Sequence, residues 1–159
     1  MQIIFLRHGP AGSKSDWDGP DAERPLTDDG RGVVVLVADM LAHAGVTVDA
    51  LLTSPLVRAR QTAEIAAAAL GCADRLADDE RLAGGFDRKS LAAIVAEHPD
   101  ARALMLVGHE PDFSATIAQL TGANVAVKKA GVARVDVDEQ TMRGTLVWLL
   151  PPRVFISER

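Results

Sequence analysis

The chain has 159 residues, of which 48% are apolar and 25% are charged, as is typical of one globular domain with a substantial core. Its formal net charge of −5 at pH 7 argues against a nucleic-acid-binding protein, because recognition of the phosphate backbone normally needs a basic face. The single cysteine, Cys72, excludes an intramolecular disulfide and a thiolate metal cluster.

The apolar runs of the chain are too short for a targeting or membrane segment. Residues 3–6 have no basic segment before them and are followed by Arg7, which is unlike a signal peptide. Residues 33–37 are soon followed by Asp39, so no transmembrane span is predicted. We therefore expect a cytoplasmic protein without a membrane partner, forming one domain over residues 1–159.

The first predicted element is a strand that ends in polar residues. Residues 3–6, Ile-Ile-Phe-Leu, form the continuous apolar run that is typical of a strand buried on both faces of a parallel sheet. Arg7 and His8 follow at once, and then Gly9. Because ligands of open α/β sheets bind beyond the carboxyl ends of the strands, Arg7 and His8 are candidate functional residues.

A polar segment rich in glycine and proline, residues 10–25, predicts a loop over this strand end. Its Trp17 is placed either to line a site or to pin the loop. Thr27 predicts the N-cap of a helix with two aspartates in its first turn. Apolar residues at helical spacing continue this helix, and Gly45 predicts its end.

The middle of the chain predicts a second strand, over residues 49–53, and two further helices. Ser54 follows that strand and serves either to support a ligand pocket or to cap the next helix. That helix, residues 56–70, carries Arg58 near its start and is expected to turn Ile65, Ala66, Ala69 and Leu70 towards the core. Residues 72–88 are expected to be irregular and contain Glu80, and Ser90 is expected to begin a helix that extends to about residue 97.

A third buried strand is predicted over residues 103–107, and it ends at Gly108 and His109. Asp112 is expected to cap a helix that runs to about residue 120. Two apolar runs, 132–137 and 145–150, predict a terminal antiparallel pair. The whole pattern predicts a three-layer α/β/α sandwich with a mainly parallel central sheet and a C-terminal antiparallel edge.

In a parallel sheet the carboxyl ends of the three buried strands lie along one edge, so two imidazoles and two guanidiniums can converge there: Arg7, His8, Arg58 and His109. Arginine binds phosphoryl oxygens bidentately, and a neutral imidazole can act as a nucleophile. This combination, without a cysteine at the site, indicates phosphoryl transfer through a phosphohistidine.

Three motifs in this order resemble the histidine phosphatase superfamily, also called phosphoglycerate mutase-like. They are Arg7-His8-Gly9, the segment Ser-Pro-Leu-Val-Arg-Ala-Arg-Gln-Thr-Ala-Glu at 54–64, and Val107-Gly108-His109. With Arg-Pro-Leu-Thr at 24–27 and the short length, the chain looks like the compact SixA-type phosphohistidine phosphatases. The resemblance extends over essentially the whole chain and makes phosphoglycerate mutase activity the less favoured alternative.

The resemblance implies a role for each of these residues. His8 would attack phosphorus and carry the phosphoryl group, while Arg7, Arg58 and His109 would hold its oxygens. Arg24 would supply a further cation from the loop. The guanidiniums provide the positive charge, so the resemblance implies an enzyme that needs no metal and no cofactor.

The sequence leaves the general acid and the substrate open. Glu80 lies where related enzymes acting on phosphate esters carry a carboxylic acid, yet it is equally well a solvated loop charge. Glu110 and Asp112 are weaker candidates. The favoured substrate is a protein phosphohistidine; the alternatives are a small phosphate ester, or a non-catalytic module that binds phosphate or phosphopeptides.

Overall fold

The computed structural model describes residues 1–156 of the chain. Four α-helices and six β-strands alternate along these residues, with short 3₁₀ turns between some of them. In chain order they are β1 Gln2–Arg7, α1 Asp28–His43, β2 Ala50–Thr53, α2 Val57–Ala69, β3 Leu76–Asp78, α3 Arg88–Glu97, β4 Ala103–Gly108, α4 Asp112–Thr121, β5 Val132–Asp138 and β6 Arg143–Leu150.

All six strands form one sheet in the order β3-β2-β4-β1-β5-β6. The first four strands are parallel, whereas β5 is antiparallel to β1 and β6 is antiparallel to β5. The predicted mainly parallel sheet with an antiparallel C-terminal edge is therefore confirmed. Because β1, β2 and β4 are neighbours with the same direction, their carboxyl ends open onto one edge of the sheet.

The helices form a layer on each face of the sheet, which completes the predicted three-layer sandwich. Ile4 and Leu6 of β1 pack with the apolar residues of α1 and α2. Ile3 and Phe5 point to the other face and pack with α3 and α4, where the ring of Phe5 meets that of Phe113 edge-on at 5.1 Å. Residues alternate between faces because successive strand side chains point in opposite directions.

Helix α2 packs on the sheet through small residues. The alanines Ala59, Ala63, Ala66 and Ala67 are buried, while Ile65 and Leu70 are only partly buried at the edge of the cluster. Of the four residues predicted to share one face, Ala66 is buried, whereas Ile65, Ala69 and Leu70 are only partly buried, so the helix buries its alanines in preference to its larger apolar side chains. Side chains this small let the helix backbone lie close to the strands that carry the site.

Two local predictions were wrong. Residues 76–78, within the segment expected to be irregular, form β3 and pair in parallel with β2. Three residues are too few for a strand pattern to be recognised. Helix α3 begins at Arg88 rather than Ser90, because the carboxylate of Asp87 accepts a hydrogen bond from the Ser90 N–H at 2.8 Å and caps the helix.

No helix within residues 1–156 is both long enough and apolar enough to cross a membrane.

Helix α1 has the predicted cap, in which Thr27 Oγ1 accepts the Gly30 N–H at 2.9 Å, and it ends two residues before Gly45. Gly45 adopts a φ of 75°, the left-handed conformation that commonly ends a helix.

Candidate active site

The ends of β1 and β4 place two histidines side by side. In the register of the parallel pair Arg7 lies beside Gly108, and the His8 N–H donates to the Gly108 carbonyl at 3.0 Å. The imidazole rings of His8 and His109 lie 5.2 Å apart between centroids, and the residues are only 6% and 9% exposed. The structure therefore brings together the two histidines that lie about a hundred residues apart in the sequence.

His8 has a defined tautomer. Its Nδ1 lies 2.8 Å from the carbonyl oxygen of Gly9, which can only accept, so Nδ1 carries the proton and Nε2 keeps its lone pair. Burial lowers the pKa of His8 to about 3, and the charges of Arg58 and Arg7 and the neighbouring His109 act in the same direction. The ring is therefore neutral at pH 7, with a nitrogen available for nucleophilic attack.

His109 is held by the residue that follows β2. Its Nε2 lies 2.7 Å from Ser54 Oγ, and the same oxygen accepts the Leu56 N–H at 3.2 Å just before α2 begins. Ser54 thus contacts the site and also bonds the backbone at the helix start, so both roles considered for it are present. Burial, followed by the charge of Arg58, lowers the pKa of His109 to about 4.

Arg58 lies in the first turn of α2 with its side chain 8% exposed. Its Nη1 donates to the Asp21 carbonyl at 2.9 Å, and its Nη2 donates to Asp21 Oδ2 at 3.1 Å. Its Nε is buried and has no hydrogen-bond partner. Burial lowers the pKa of this guanidinium from its ordinary value, and the charge of Asp21 opposes that shift.

Arg7 is held in a similar way. Its Nη1 donates to the Val127 carbonyl at 3.0 Å, and its Nε is likewise buried without a partner. Within residues 1–156, the Nε atoms of Arg7 and Arg58 are the buried side-chain polar atoms left unsatisfied. Buried donors are nearly always paired, so two unpaired guanidinium N–H groups beside two imidazoles indicate a site for an oxyanion.

Arg24 contacts its own loop rather than the histidines. Its Nη1 donates to the carbonyls of Ala11 and Gly12, both at 3.1 Å, and its Nε donates to Asp21 Oδ1 at 3.1 Å. The carboxylate of Asp21 therefore joins Arg24 to Arg58. Sequence reasoning missed Asp21, although its position three residues before Arg24 was a usable signal.

Glu80 is not brought into contact with the other candidate residues. It begins the 3₁₀ turn after β3, which is anchored to the sheet by the Asp79 N–H donating to the Thr53 carbonyl at 2.8 Å. Glu80 is therefore near the edge of the sheet where the site lies. Its side chain is exposed and forms no hydrogen bond or ion pair with the residues that the structure describes.

The two carboxylates after His109 have structural contacts. Asp112 does not cap its own helix as predicted: α4 begins at Asp112 itself, and the carboxylate accepts the N–H of Phe86, in the loop before α3, at 3.1 Å. Glu110 accepts hydrogen bonds from the backbone N–H and the hydroxyl of Ser114. Asp112 thus joins α4 to the loop before α3, and Glu110 bonds the first turn of α4.

Thr62 is a further residue that sequence reasoning missed. Its buried Oγ1 accepts the Gly9 N–H at 3.0 Å and donates to the Arg58 carbonyl at 2.8 Å. It thus connects the loop after β1 to the first turn of α2. The available signal was a polar residue on an otherwise apolar helix face, one turn after Arg58.

Trp17 pins its loop, because its Nε1 donates to the Pro20 carbonyl at 2.9 Å. It also lines a shallow recess of about 400 Å³ together with Arg24 and Leu26. A larger cavity of about 460 Å³ lies at the opposite edge of the sheet, lined by Gln2 and Trp148 among others, and is separate from the histidines.

Among residues 1–156, the histidine, cysteine and carboxylate side chains form no group of three that could hold a metal ion. Positive charge at the site comes instead from Arg7 and Arg58. The fold and the site together define an α/β protein with two buried guanidiniums, each with an unpaired Nε, and two neutral imidazoles at the carboxyl ends of parallel strands.

The chain belongs to the histidine phosphatase superfamily (branch 1), whose family model matches residues 3–121. It is 37% identical to an uncharacterized protein of Picosynechococcus sp. (strain ATCC 27264 / PCC 7002 / PR-6), over 95% of this chain and 100% of that protein. It is 33% identical to the probable phosphoglycerate mutase GpmB of Serratia proteamaculans, over 52% of this chain and 37% of that protein.

The fold is also similar to a solved structure of the protein histidine phosphatase SixA complexed with tungstate. The TM-score is 0.87 at 25% sequence identity, over 98% of this chain and 100% of that chain. The resemblance to the compact SixA type, drawn from the motifs alone, is therefore confirmed at the level of the fold.

Proposed function

We propose that this protein is a metal-independent phosphatase that transfers a phosphoryl group to His8 and then to water, and that its substrate is a protein phosphohistidine. One observation carries the proposal: the unprotonated Nε2 belongs to a neutral His8 on which the charges of Arg7 and Arg58 act, and the Nε donors of both arginines are buried and unpaired. Tungstate, bound by the similar SixA structure, is a tetrahedral oxyanion like phosphate.

The reaction proceeds in two displacements. His8 Nε2 attacks phosphorus while the bond from phosphorus to the leaving nitrogen breaks. The electron pair of that bond stays on the leaving nitrogen, and the proton that the substrate's ring already carries on its other nitrogen makes the departing group a neutral imidazole. Arg7, Arg58 and His109 stabilise the equatorial oxygens as charge redistributes. Water then attacks the phosphohistidine on His8, which releases phosphate and regenerates the neutral imidazole.

Asp21, the carboxylate bonded to Arg58, favours a phosphohistidine substrate. Asp21 contacts Arg58 and Arg24; partial burial raises its pKa, but the hydrogen bond from Arg24 and the charge of Arg58 outweigh this, so the pKa lies below its ordinary value. An ionised carboxylate cannot protonate a leaving group. An imidazole leaves from phosphorus with less help than an alkoxide needs, so a site of this kind suits the nitrogen-linked substrate.

A small phosphate ester is the second candidate substrate, and Glu80 is the observation in its favour. It lies on the turn after β3 with an exposed, unpaired carboxylate that a substrate could reach. A module that only binds phosphate would not need a neutral, tautomer-defined His8.

We further propose that the enzyme and its phosphorylated partner are cytoplasmic, where a buried thiol such as Cys72 is normally reduced.

The test is a turnover assay in EDTA on a phosphohistidine-bearing protein and on a panel of phosphate esters. We expect preference for phosphohistidine, and loss of at least about a thousand-fold in rate for His8→Gln because the nucleophile is absent. His43→Gln is the matched control, since His43 is exposed at the far end of α1 and should leave the rate unchanged.

Rapid quenching should trap a phosphoenzyme that is stable in base and labile in acid, as phosphoramidates are, and that is absent from His8→Gln. Loss of activity in EDTA would contradict a metal-independent mechanism. A stronger preference for esters would move the protein to the second candidate function, and phosphate binding without any turnover would favour the non-catalytic module.

A further inference from the structure

Asp21 makes a set of contacts that the proposed chemistry does not use. It begins a 3₁₀ turn, Asp21–Glu23, in the loop that follows the nucleophile. Its backbone carbonyl and Oδ2 both accept hydrogen bonds from Arg58, while its Oδ1 accepts from Arg24. One residue of the loop therefore holds a buried guanidinium of α2 at two points and binds a second guanidinium as well.

Asp21 contacts one edge of the Arg58 guanidinium and makes no hydrogen bond to the edge that contains Nε. Asp21 bonds the end of the group, Nη1 and Nη2. The side edge consists of Nε–H and the second N–H of Nη2, and there Nε is buried without a partner. A guanidinium binds an oxyanion bidentately through two parallel N–H groups, so this open edge suits a phosphoryl group.

Arg7 is arranged in the same way, so the arrangement of Arg58 is repeated at a second arginine of the site. Its Nη1 is bonded to the Val127 carbonyl and its Nε is buried and free. Each arginine is thus anchored at Nη1 by a backbone carbonyl and keeps its Nε–Nη2 edge available. Arg58 differs in that the anchoring residue also supplies a carboxylate.

The carboxylate has a second effect, on the charges. Arg24 and Arg58 are like charges near one another, and the charge of Arg24 lowers the pKa of Arg58 while that of Asp21 raises it. With one oxygen on each guanidinium, at 3.1 Å in both cases, Asp21 offsets their repulsion. The two cations can therefore lie at the same site in the absence of a bound anion.

We propose that Asp21 is a positioning residue, which orients the Arg58 guanidinium with its Nε–Nη2 edge towards the phosphoryl group and keeps Arg24 beside it. The carboxylate stays in place when the anion binds, because it occupies the opposite edge of Arg58. This inference rests on the proposed phosphoryl-transfer function of the site. It assigns Asp21 neither proton transfer nor contact with the substrate.

The test compares Asp21→Asn with Glu23→Gln. Both substitutions remove one negative charge from the same turn with little change of shape, but Glu23 is exposed and contacts neither guanidinium. The first readout is hydrogen exchange of the Arg58 Nε–H by NMR, with the signal assigned by its absence from Arg58→Lys. The second is the affinity for inorganic phosphate by calorimetry, and the third is kcat and KM on a phosphohistidine protein.

We expect Asp21→Asn to speed exchange of the Arg58 Nε–H at least about tenfold and to lower kcat by about 10- to 100-fold, because a misoriented donor stabilises the transition state poorly. Phosphate affinity should stay within about fivefold of wild type, since removing a negative charge beside the pocket favours any anion. Glu23→Gln should match wild type in exchange and in kcat within about twofold.

Two results would overturn the proposal. If Asp21→Asn matched Glu23→Gln in exchange and in kcat, Asp21 would not orient Arg58. If kcat and phosphate affinity fell by the same factor together with the melting temperature, Asp21 would only anchor the loop. If the wild-type protein bound phosphate but had no turnover, the proposed function would fail, whereas the exchange and affinity measurements would still decide the role of Asp21.

Discussion

At the scale of single residues, the site combines groups that are costly to bury. His8 and His109 are buried and neutral, and the guanidiniums of Arg7 and Arg58 each keep an unpaired Nε–H. An unsatisfied buried donor typically costs about 1–3 kcal/mol of folding stability. The folded protein tolerates this loss of stability at the edge of the sheet. This is expected of a binding site, where the donors gain their hydrogen bonds from a bound anion and not from the folded chain.

Whether Glu80 acts as a general acid can be tested by comparing an ester substrate with a phosphohistidine substrate. We expect Glu80→Gln to slow hydrolysis of an alkyl phosphate ester at least tenfold, because an alkoxide needs a proton donor, with general acids typically contributing about 10²–10⁴-fold. Hydrolysis of phosphohistidine should stay within about twofold of wild type, because imidazole leaves without that help. The measurement is kcat/KM on both substrates.

The control for this comparison is Glu64→Gln, which removes an exposed carboxylate paired with Arg60 on α2. It should change neither substrate's rate. If Glu80→Gln slowed both substrates equally, Glu80 would not be the general acid, and its exposed position would be that of a solvated loop charge.

At the scale of elements, the first turn of α1 packs directly on the loop that follows His8. A Cβ on Gly30 would lie 2.0 Å from the Pro10 carbonyl oxygen, and a Cβ on Gly9 would lie 2.4 Å from a methyl of Val34. Both glycines are therefore required by close packing. The Thr27 N–H also donates to the Pro10 carbonyl at 3.1 Å, so α1 and this loop are joined at the helix start.

Gly30→Ala should therefore lower both stability and activity. The added methyl group meets backbone, which cannot move without displacing Pro10, so we expect a loss of about 1–3 kcal/mol in the free energy of unfolding and a lower kcat. Denaturant unfolding and turnover of the purified variant check this.

Gly32→Ala is the matched control on the same helix, since a Cβ there meets nothing within 4 Å. It should stabilise the protein by roughly 0.5–1 kcal/mol, because alanine is the better helix former, and leave kcat unchanged. Equal effects of the two substitutions would show that helix propensity, and not contact with the loop, decides the outcome.

At the scale of the whole molecule, the parallel strands of one mixed sheet assemble a site from distant parts of the chain. The order β2-β4-β1 brings the ends of three strands together, and the helix layers on both faces bury the strands that carry them. The burial that stabilises the fold is also what lowers the pKa of His8 and of His109. Stability and the protonation of the site are therefore linked.

This linkage predicts acid sensitivity. The pKa values of His8 and His109 are about 3 and about 4 in the folded protein, against about 6.5 when unfolded. Between these values the unfolded chain binds more protons, so the free energy of unfolding falls as the pH falls below about 6.5. Each histidine adds a slope of up to about 1.4 kcal/mol per pH unit.

Unfolding should be measured from pH 7 to pH 4.5 in phosphate-free buffer, for wild type and for His8→Gln/His109→Gln. We expect a shallower pH dependence in the double variant, because the other titrating groups contribute equally to both curves. Identical slopes would contradict the lowered pKa values, whatever the variant's absolute stability.

Sequence patterns alone predicted the α/β class, the antiparallel C-terminal edge and the positions of Arg7, His8 and His109 at strand ends. Continuous apolar runs, caps and glycine stops are local signals, so they can be recognised without knowledge of the fold. The motifs were also enough to identify the family, because their order along the chain is distinctive.

The hydrogen-bond partners of the site residues are known only from the folded structure. Asp21 meets Arg58, Ser54 meets His109, and Thr62 bonds the Gly9 N–H, all across sequence separations of 37 to 55 residues. Such partners depend on which side chains the packed layers bring together, and no periodic pattern records that. The unpaired Nε atoms of Arg7 and Arg58 also depend on packing, because the other buried side-chain polar atoms of residues 1–156 find partners and these two do not.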